Sequence, residues 1–122
     1  MQGCPFCEGG GRYFLEHGLA AAIWDAYPVS PGHALVVPRA HRRDIFECTP
    51  GELSDMAVLV CKVRDLLDAE RSPDGYNVGT NAGAAAGQTV FHCHVHVIPR
   101  YKGDTHDPRG GVRRVRKPEV EY

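Results

Sequence analysis

Hydrophobic and polar residues follow two different periods along this chain, and the change from one to the other marks out its elements. Leu53, Met56, Ala57, Val60, Val63, Leu66 and Leu67 recur three or four positions apart, the spacing of one helix face, and are expected to point into the core. Just ahead of them, Thr49-Pro50-Gly51-Glu52 supplies an N-cap, a proline at the first helical position and the N3 glutamate of a capping box. The pattern predicts a helix from Pro50 to about Glu70. Elsewhere the apolar runs are short. Tyr13 to Glu16 and Ala20 to Asp25 read as two strands joined by a turn at His17-Gly18, and His33 to Pro38, HALVVP, is apolar enough to be a central strand. The turn residues Pro28 to Gly32 precede it, and Ser72-Pro73-Asp74-Gly75 forms a further turn before a strand at Tyr76 to Thr80. Strands segregated from one long helix imply an α+β fold with an antiparallel sheet.

The last strand carries unusual chemistry. In Gly87 to Arg100, GQTVFHCHVHVIPR, three of the seven histidines alternate with single residues. At the period of an extended strand, His92, His94 and His96 leave from one face while Phe91, Cys93, Val95 and Val97 leave from the other. Two imidazoles spaced in this way can share a zinc ion, but three cannot. At ~3.3 Å per residue, His92 and His96 stand about 13 Å apart, whereas both would have to lie within about 2 Å of one zinc. At least one of them has a separate task.

A chain of 122 residues fits one domain with a single modest core, and its net charge of -1 makes no general case for nucleic-acid binding. The opening MQGCPFCEGG has neither a basic nor an apolar leader region, and no apolar run approaches a membrane span, so a cytoplasmic protein without membrane association is expected. Five cysteines without an export signal favour free thiols or metal ligation over disulfides. Cys48, Cys61 and Cys93 sit among apolar residues and are expected to be buried. Cys4 and Cys7, in Cys4-Pro5-Phe6-Cys7, have the spacing of two zinc ligands, which alone is half a site. A thioredoxin-like redox reading would need a βαβ context that the first thirty residues do not offer.

His92-Cys93-His94-Val95-His96-Val97-Ile98 resembles the signature of the histidine triad (HIT) superfamily, three histidines alternating with apolar residues. Asp25, the Ser30-Pro31-Gly32-His33 turn, the Asn81-Ala82-Gly83 turn and Gln88-Thr89 stand in the order and spacing of that family. The resemblance implies an α+β domain with an antiparallel sheet of about five strands, one long helix and one short one. It also implies pairing into a homodimer, for which the helix from Pro50 and the strand around Tyr76 to Thr80 are the candidate interface. The domain is expected to span residues 1–122, with a tail from about residue 103.

The same resemblance assigns roles. His94 is the expected nucleophile, forming a nucleotidyl-histidine intermediate at an α-phosphorus; a neutral imidazole with a pKa near ~6.5 suits that task. His96 would assist the leaving group and His33 would hold ring orientation from behind. Asn81, Gln88 and Thr89 match phosphate-contacting positions, Asp25 the acceptor of ribose hydroxyls, and Phe6 and Ile23 the walls of a purine pocket. In several bacterial-type members a cysteine pair is completed as a structural zinc site by two histidines whose counterparts here are His41 and His92. That assignment would leave His94 and His96 for phosphate.

The implied activity is a nucleotide hydrolase acting on nucleoside phosphates. Pro99-Arg100 and the five basic residues of Arg109 to Lys117 tilt the expectation toward dinucleoside polyphosphates, although a solvated tail is the plainer reading of those cations. A nucleoside phosphoramidase would use the same residues. A hydrolase with a catalytic zinc in the triad and a nucleotide-binding adaptor without turnover are the rival classes.

Overall fold

The computed structural model describes residues 3–7 and 12–120. Its strands are β1 (Leu15–His17), β2 (Ala20–Trp24), β3 (Ala34–Pro38), β4 (Gly75–Gly79) and β5 (Val95–Arg100), with one α-helix, α1 (Pro50–Arg71), between β3 and β4. The strands form one antiparallel sheet in the order β1-β2-β3-β5-β4. The α+β class and the five-stranded sheet match the sequence expectation. In place of a second α-helix, the described residues include short 3-10 turns at Ile45–Glu47, Ala84–Ala86 and Gly111–Val115.

β2 and β3 are apolar throughout because both of their faces are buried. Ala20, Ala22, Ala34 and Val36 pack against α1 through Met56, Leu59, Val63 and Leu67. Ala21, Ile23, Leu35 and Val37 face the opposite way and are covered by Cys4 and Phe6 of the N-terminal segment. The capping box of α1 is formed: the Glu52 N–H donates to Thr49 Oγ1 and the Thr49 N–H to Glu52 Oε1 at 2.7 Å.

The inward line of α1 differs from the one read in the sequence. It runs Glu52, Met56, Leu59, Val63 and Leu67, whereas Leu53 is 39% exposed, Ala57 is exposed, and Val60 and Leu66 flank the line half-buried. The buried glutamate explains the displacement. Arg42 grips its carboxylate from Nε at 2.9 and 3.1 Å, so a charged residue occupies a position that hydrophobic patterning assigns to the surface. Cys48 and Cys93 are buried as expected, but Cys61 lies on the outer face of α1 and is exposed.

The histidine segment is a strand only from Val95, the first residue paired with β3. Before that, its backbone bonds to loops: the Cys93 N–H donates to Arg42 O at 2.6 Å, and Thr80 Oγ1 donates to His94 O at 2.8 Å. Alternation survives this change of partner, because Cys93 and Val97 still enter the α1 core. Phe91 departs from it and is exposed.

The tail is solvated over most of its length, with Arg109, Arg113, Arg116 and Lys117 exposed, but it packs on the sheet at one turn. Residues 110 and 111 approach β4 so closely that a Cβ on Gly111 would stand 3.0 Å from Asn77 Nδ2. Positive φ values of 86° and 42° let these two glycines turn the chain onto the sheet.

Candidate active site

Three histidines from one short segment meet three different environments, and hydrogen bonds fix the proton of each. His94 Nδ1 lies 2.8 Å from His92 O. A carbonyl only accepts, so Nδ1 carries the hydrogen and Nε2 keeps its lone pair. The His94 ring lines a cavity of about 400 Å³ between β2, the N-terminal segment and the loop before β5.

His96 is set by a chain of donors. The Val29 N–H donates to His33 Nδ1 at 3.2 Å, so a neutral His33 carries its proton on Nε2 and donates to His96 Nδ1 at 2.9 Å. The His96 proton is thereby placed on Nε2, at the cavity it lines. Asp25 Oδ2 stands 3.3 Å from His33 Nε2 and 4.0 Å from His96 Nδ1, while its Oδ1 accepts from the Tyr27 N–H at 2.8 Å. Burial lowers the pKa of His33, partly opposed by Asp25. Burial, followed by the neighbouring His94 and His33 rings, lowers that of His96. Both rings are therefore held neutral at neutral pH. Asp25, His33 and His96 are close enough to bind an ion, but the Val29 N–H opposes it, since a metal on Nε2 would require a proton on His33 Nδ1 facing that donor.

The loop between β4 and β5 supplies the other polar groups. Asn81, Gly87 and Thr89 line the cavity together with Asp25, Phe6 and Ile23. Gln88 does not line it. That side chain is buried, donating from Nε2 to Arg43 O at 2.6 Å and to Val90 O at 3.1 Å while Oε1 accepts from the Gly83 N–H at 2.8 Å. Its amide is thus engaged in bracing the loop that carries Gly87 and Thr89. Phe6 packs edge-on against His94, with ring centroids 5.0 Å apart, and also against His92 at 5.8 Å.

His92 turns the other way. Its Nε2–H donates to Pro38 O at 2.9 Å, leaving the Nδ1 lone pair aimed at Cys4, Cys7 and His41. From His92 Nδ1, Cys4 Sγ is 3.5 Å away, Cys7 Sγ 3.3 Å and His41 Nδ1 3.2 Å. Cys7 Sγ is 3.1 Å from His41 Nδ1. Bonds of about 2.3 Å to sulfur and about 2.0 Å to nitrogen put the ligand atoms of a tetrahedral zinc about 3.3–3.8 Å apart. The donor set, its spacing and the lone pair left on His92 all fit such an ion, so this Cys2His2 cluster can hold a metal such as zinc. It would tie the N-terminal segment, and Phe6 with it, to the histidine segment.

Some contributors were not evident from the sequence. Thr80 holds the carbonyl of His94, Val29 sets the His33 tautomer through its amide, and Pro38 orients His92 through its carbonyl. Two of these act through the main chain and leave no mark in residue identity. Thr80 closes a predicted strand, and only its position next to the Asn81 turn could have drawn attention to it.

An antiparallel sheet that presents alternating imidazoles beside a polar loop is the arrangement of a histidine triad protein. A profile of the HIT domain matches residues 9–103, and the chain belongs to the HIT family. It is 40% identical over 95 residues to a bis(5'-nucleosyl)-tetraphosphatase [asymmetrical] of Schizosaccharomyces pombe, a match covering 78% of this chain and 52% of that protein. The chain therefore spans about half the length of that relative. An adenylylsulfatase of Arabidopsis thaliana is 33% identical over 106 residues, covering 83% of this chain and 54% of its own. Among solved structures, a hypothetical histidine triad nucleotide-binding protein from Sulfolobus tokodaii superposes with a TM-score of 0.77 at 38% identity, covering 83% of this chain and 71% of that one.

Proposed function

We propose that this protein hydrolyses nucleoside phosphates at the α-phosphorus, releasing a nucleoside monophosphate through a nucleotidyl-His94 intermediate. The observation that carries the reading is the 2.8 Å bond from His94 Nδ1 to the His92 carbonyl, which leaves an unprotonated Nε2 on a ring lining the cavity. The base, a purine in this reading, lies against Phe6 and Ile23, the ribose hydroxyls reach Asp25, and the phosphoryl oxygens face Asn81, Thr89 and the Gly87 backbone. In the first step His94 Nε2 bonds to phosphorus as the bond to the leaving group breaks, and His96 gives its Nε2 proton to the departing atom. In the second, water attacks phosphorus, returns a proton to His96, and the phosphorus–His94 bond breaks. His33 acts as a positioning residue, holding the His96 proton on the side that faces the reaction. The Gln88 brace fixes the donors before charge develops on the phosphoryl oxygens. Bound at Cys4, Cys7, His41 and His92, zinc would supply structural cross-linking of the N-terminal segment.

The S. pombe and A. thaliana relatives, named for different leaving groups, support the class of reaction and leave the leaving group open. The test of the nucleophile is stereochemical. Two in-line displacements retain configuration at a chiral phosphorothioate, and His94→Gly should regain turnover when free imidazole is added. An inverted product, or near-normal turnover in His94→Ala, would assign the attack to water.

A further inference from the structure

Resting on that hydrolase reading, we propose that a second cavity, roofed by the C-terminal tail, is the leaving-group subsite, and that it takes an uncharged, carbon-rich body rather than a polyphosphate. This cavity of about 480 Å³ shares His96 and Asn81 with the nucleotide cavity, so the two meet at the ring that protonates the departing atom. The path beyond His96 is set by the period of β5. Ile98 and Arg100 follow on the same face, opposite Asn77 and Gly75 of β4. At ~3.3 Å per residue, a group leaving His96 meets Ile98 after about 7 Å and Arg100 only after about 13 Å. Val29, Val112 and Val115 line its open side, apolar groups left exposed to water.

The two cations that line this cavity, Arg100 and Arg114, already have partners. Arg100 donates Nε and Nη2 to Asp104 at 2.8 and 2.7 Å and Nη1 to Asn77 at 2.7 Å. Arg114 donates Nε to Arg109 O at 2.7 Å and Nη2 to Asp107 at 3.2 Å. An incoming triphosphate would meet the partner carboxylates along with the guanidinium groups, and among the described residues the first cation along β5 beyond His96 is Arg100. The roof is a built one, since the glycine turn at 110 and 111 seats it against Asn77 and a Cβ on Gly110 would stand 2.6 Å from Val120.

The experiment compares kcat/KM for adenosine 5'-phosphoramidates of methylamine and of 2-phenylethylamine, together with diadenosine tetraphosphate. The two amides share one bond type, so their ratio reads the cavity. The phenylethyl amide should win by at least about tenfold, the scale of a few methylene groups bound in an apolar pocket. Val112→Asp should bring that ratio to within about twofold of unity, because the phenyl group would have to cover a carboxylate that is otherwise in water. Val115→Asp, at a position 84% exposed, gives the same readout should the first variant fold poorly. A ratio near one in the unmodified protein overturns the subsite while leaving the hydrolase reading intact. So does a ratio unchanged in the folded variants, or a preference for the tetraphosphate over the phenylethyl amide. Absence of turnover with all three substrates overturns the hydrolase reading, and this inference with it.

Discussion

Gln88→Leu separates two ways in which a polar residue beside a triad can matter. The substitution keeps the approximate length of the side chain and removes both ends of its amide. Gln88 is 4% exposed and makes three hydrogen bonds to backbone groups, of Gly83, Arg43 and Val90. A buried polar group left without its partner costs about 1–3 kcal/mol. Gly83 and Val90 are only half-buried and Arg43 is exposed, so water can reach the released groups and the low end applies to each. The summed loss is about 2–4 kcal/mol. For a domain of this size that lowers Tm by on the order of 10 °C. Thermal unfolding followed by circular dichroism gives Tm, and steady-state kinetics on the folded protein should show the loosened phosphate loop chiefly in KM. An unchanged Tm with kcat reduced about a hundredfold, the scale of a lost transition-state donor, would refute the brace and make Gln88 a direct phosphate contact.

Replacing Cys4 and Cys7 together by serine should abolish bound zinc, expected at one ion per chain, and lower Tm, while the surviving folded fraction keeps measurable activity; full metal content in the double variant would sink the Cys2His2 assignment. The pH dependence follows from burial. His33 and His96 titrate below the usual histidine value, so kcat/KM should hold through neutrality and fall on an acid limb below about pH 6.5 as the rings become charged. Stability should move in the same sense, because a histidine with a depressed folded pKa contributes fully above its unfolded pKa and loses that contribution as pH falls through the folded one; urea midpoints that rise between pH 7 and pH 5 would contradict this. Light scattering should give twice the 13.4 kDa chain mass, with β4 as the edge strand and α1 as its neighbour in the interface; a monomeric mass at micromolar concentration counts against it.

What the sequence disclosed depended on whether side chains or main chain did the work. The capping box of α1 and the α+β class, with its antiparallel sheet and one long helix, were legible because side-chain identity and spacing carry them, and the family resemblance supplied the grouping of Cys4, Cys7, His41 and His92. The inward line of α1 was misread because Glu52 is buried through Arg42, a residue distant from the helix pattern. Apolar neighbours in sequence argue for a buried Cys61, but on a helix the neighbours that count lie three and four residues away, and Cys61 is exposed. The path of the tail depended on Gly110 and Gly111, whose positive φ values turn the basic run back on the sheet and bring Arg114 to Asp107. Composition alone shows Arg109 and Arg114 without the Asp107 carboxylate that holds them.

The bond between the His92 carbonyl and His94 Nδ1 has a wider meaning for how this segment can change. A carbonyl is common to all amino acids, so the proton arrangement of the His94 ring is inherited from the course of the chain and not from what stands at position 92. The imidazole of His92 serves the cysteine cluster, and the peptide oxygen of the same residue serves the neighbouring ring. Two requirements therefore meet at one position without competing. A descendant could exchange the Cys4, Cys7, His41 and His92 quartet for a plain apolar clasp and still present His94 in the same tautomer, provided the backbone kept its route past Arg42.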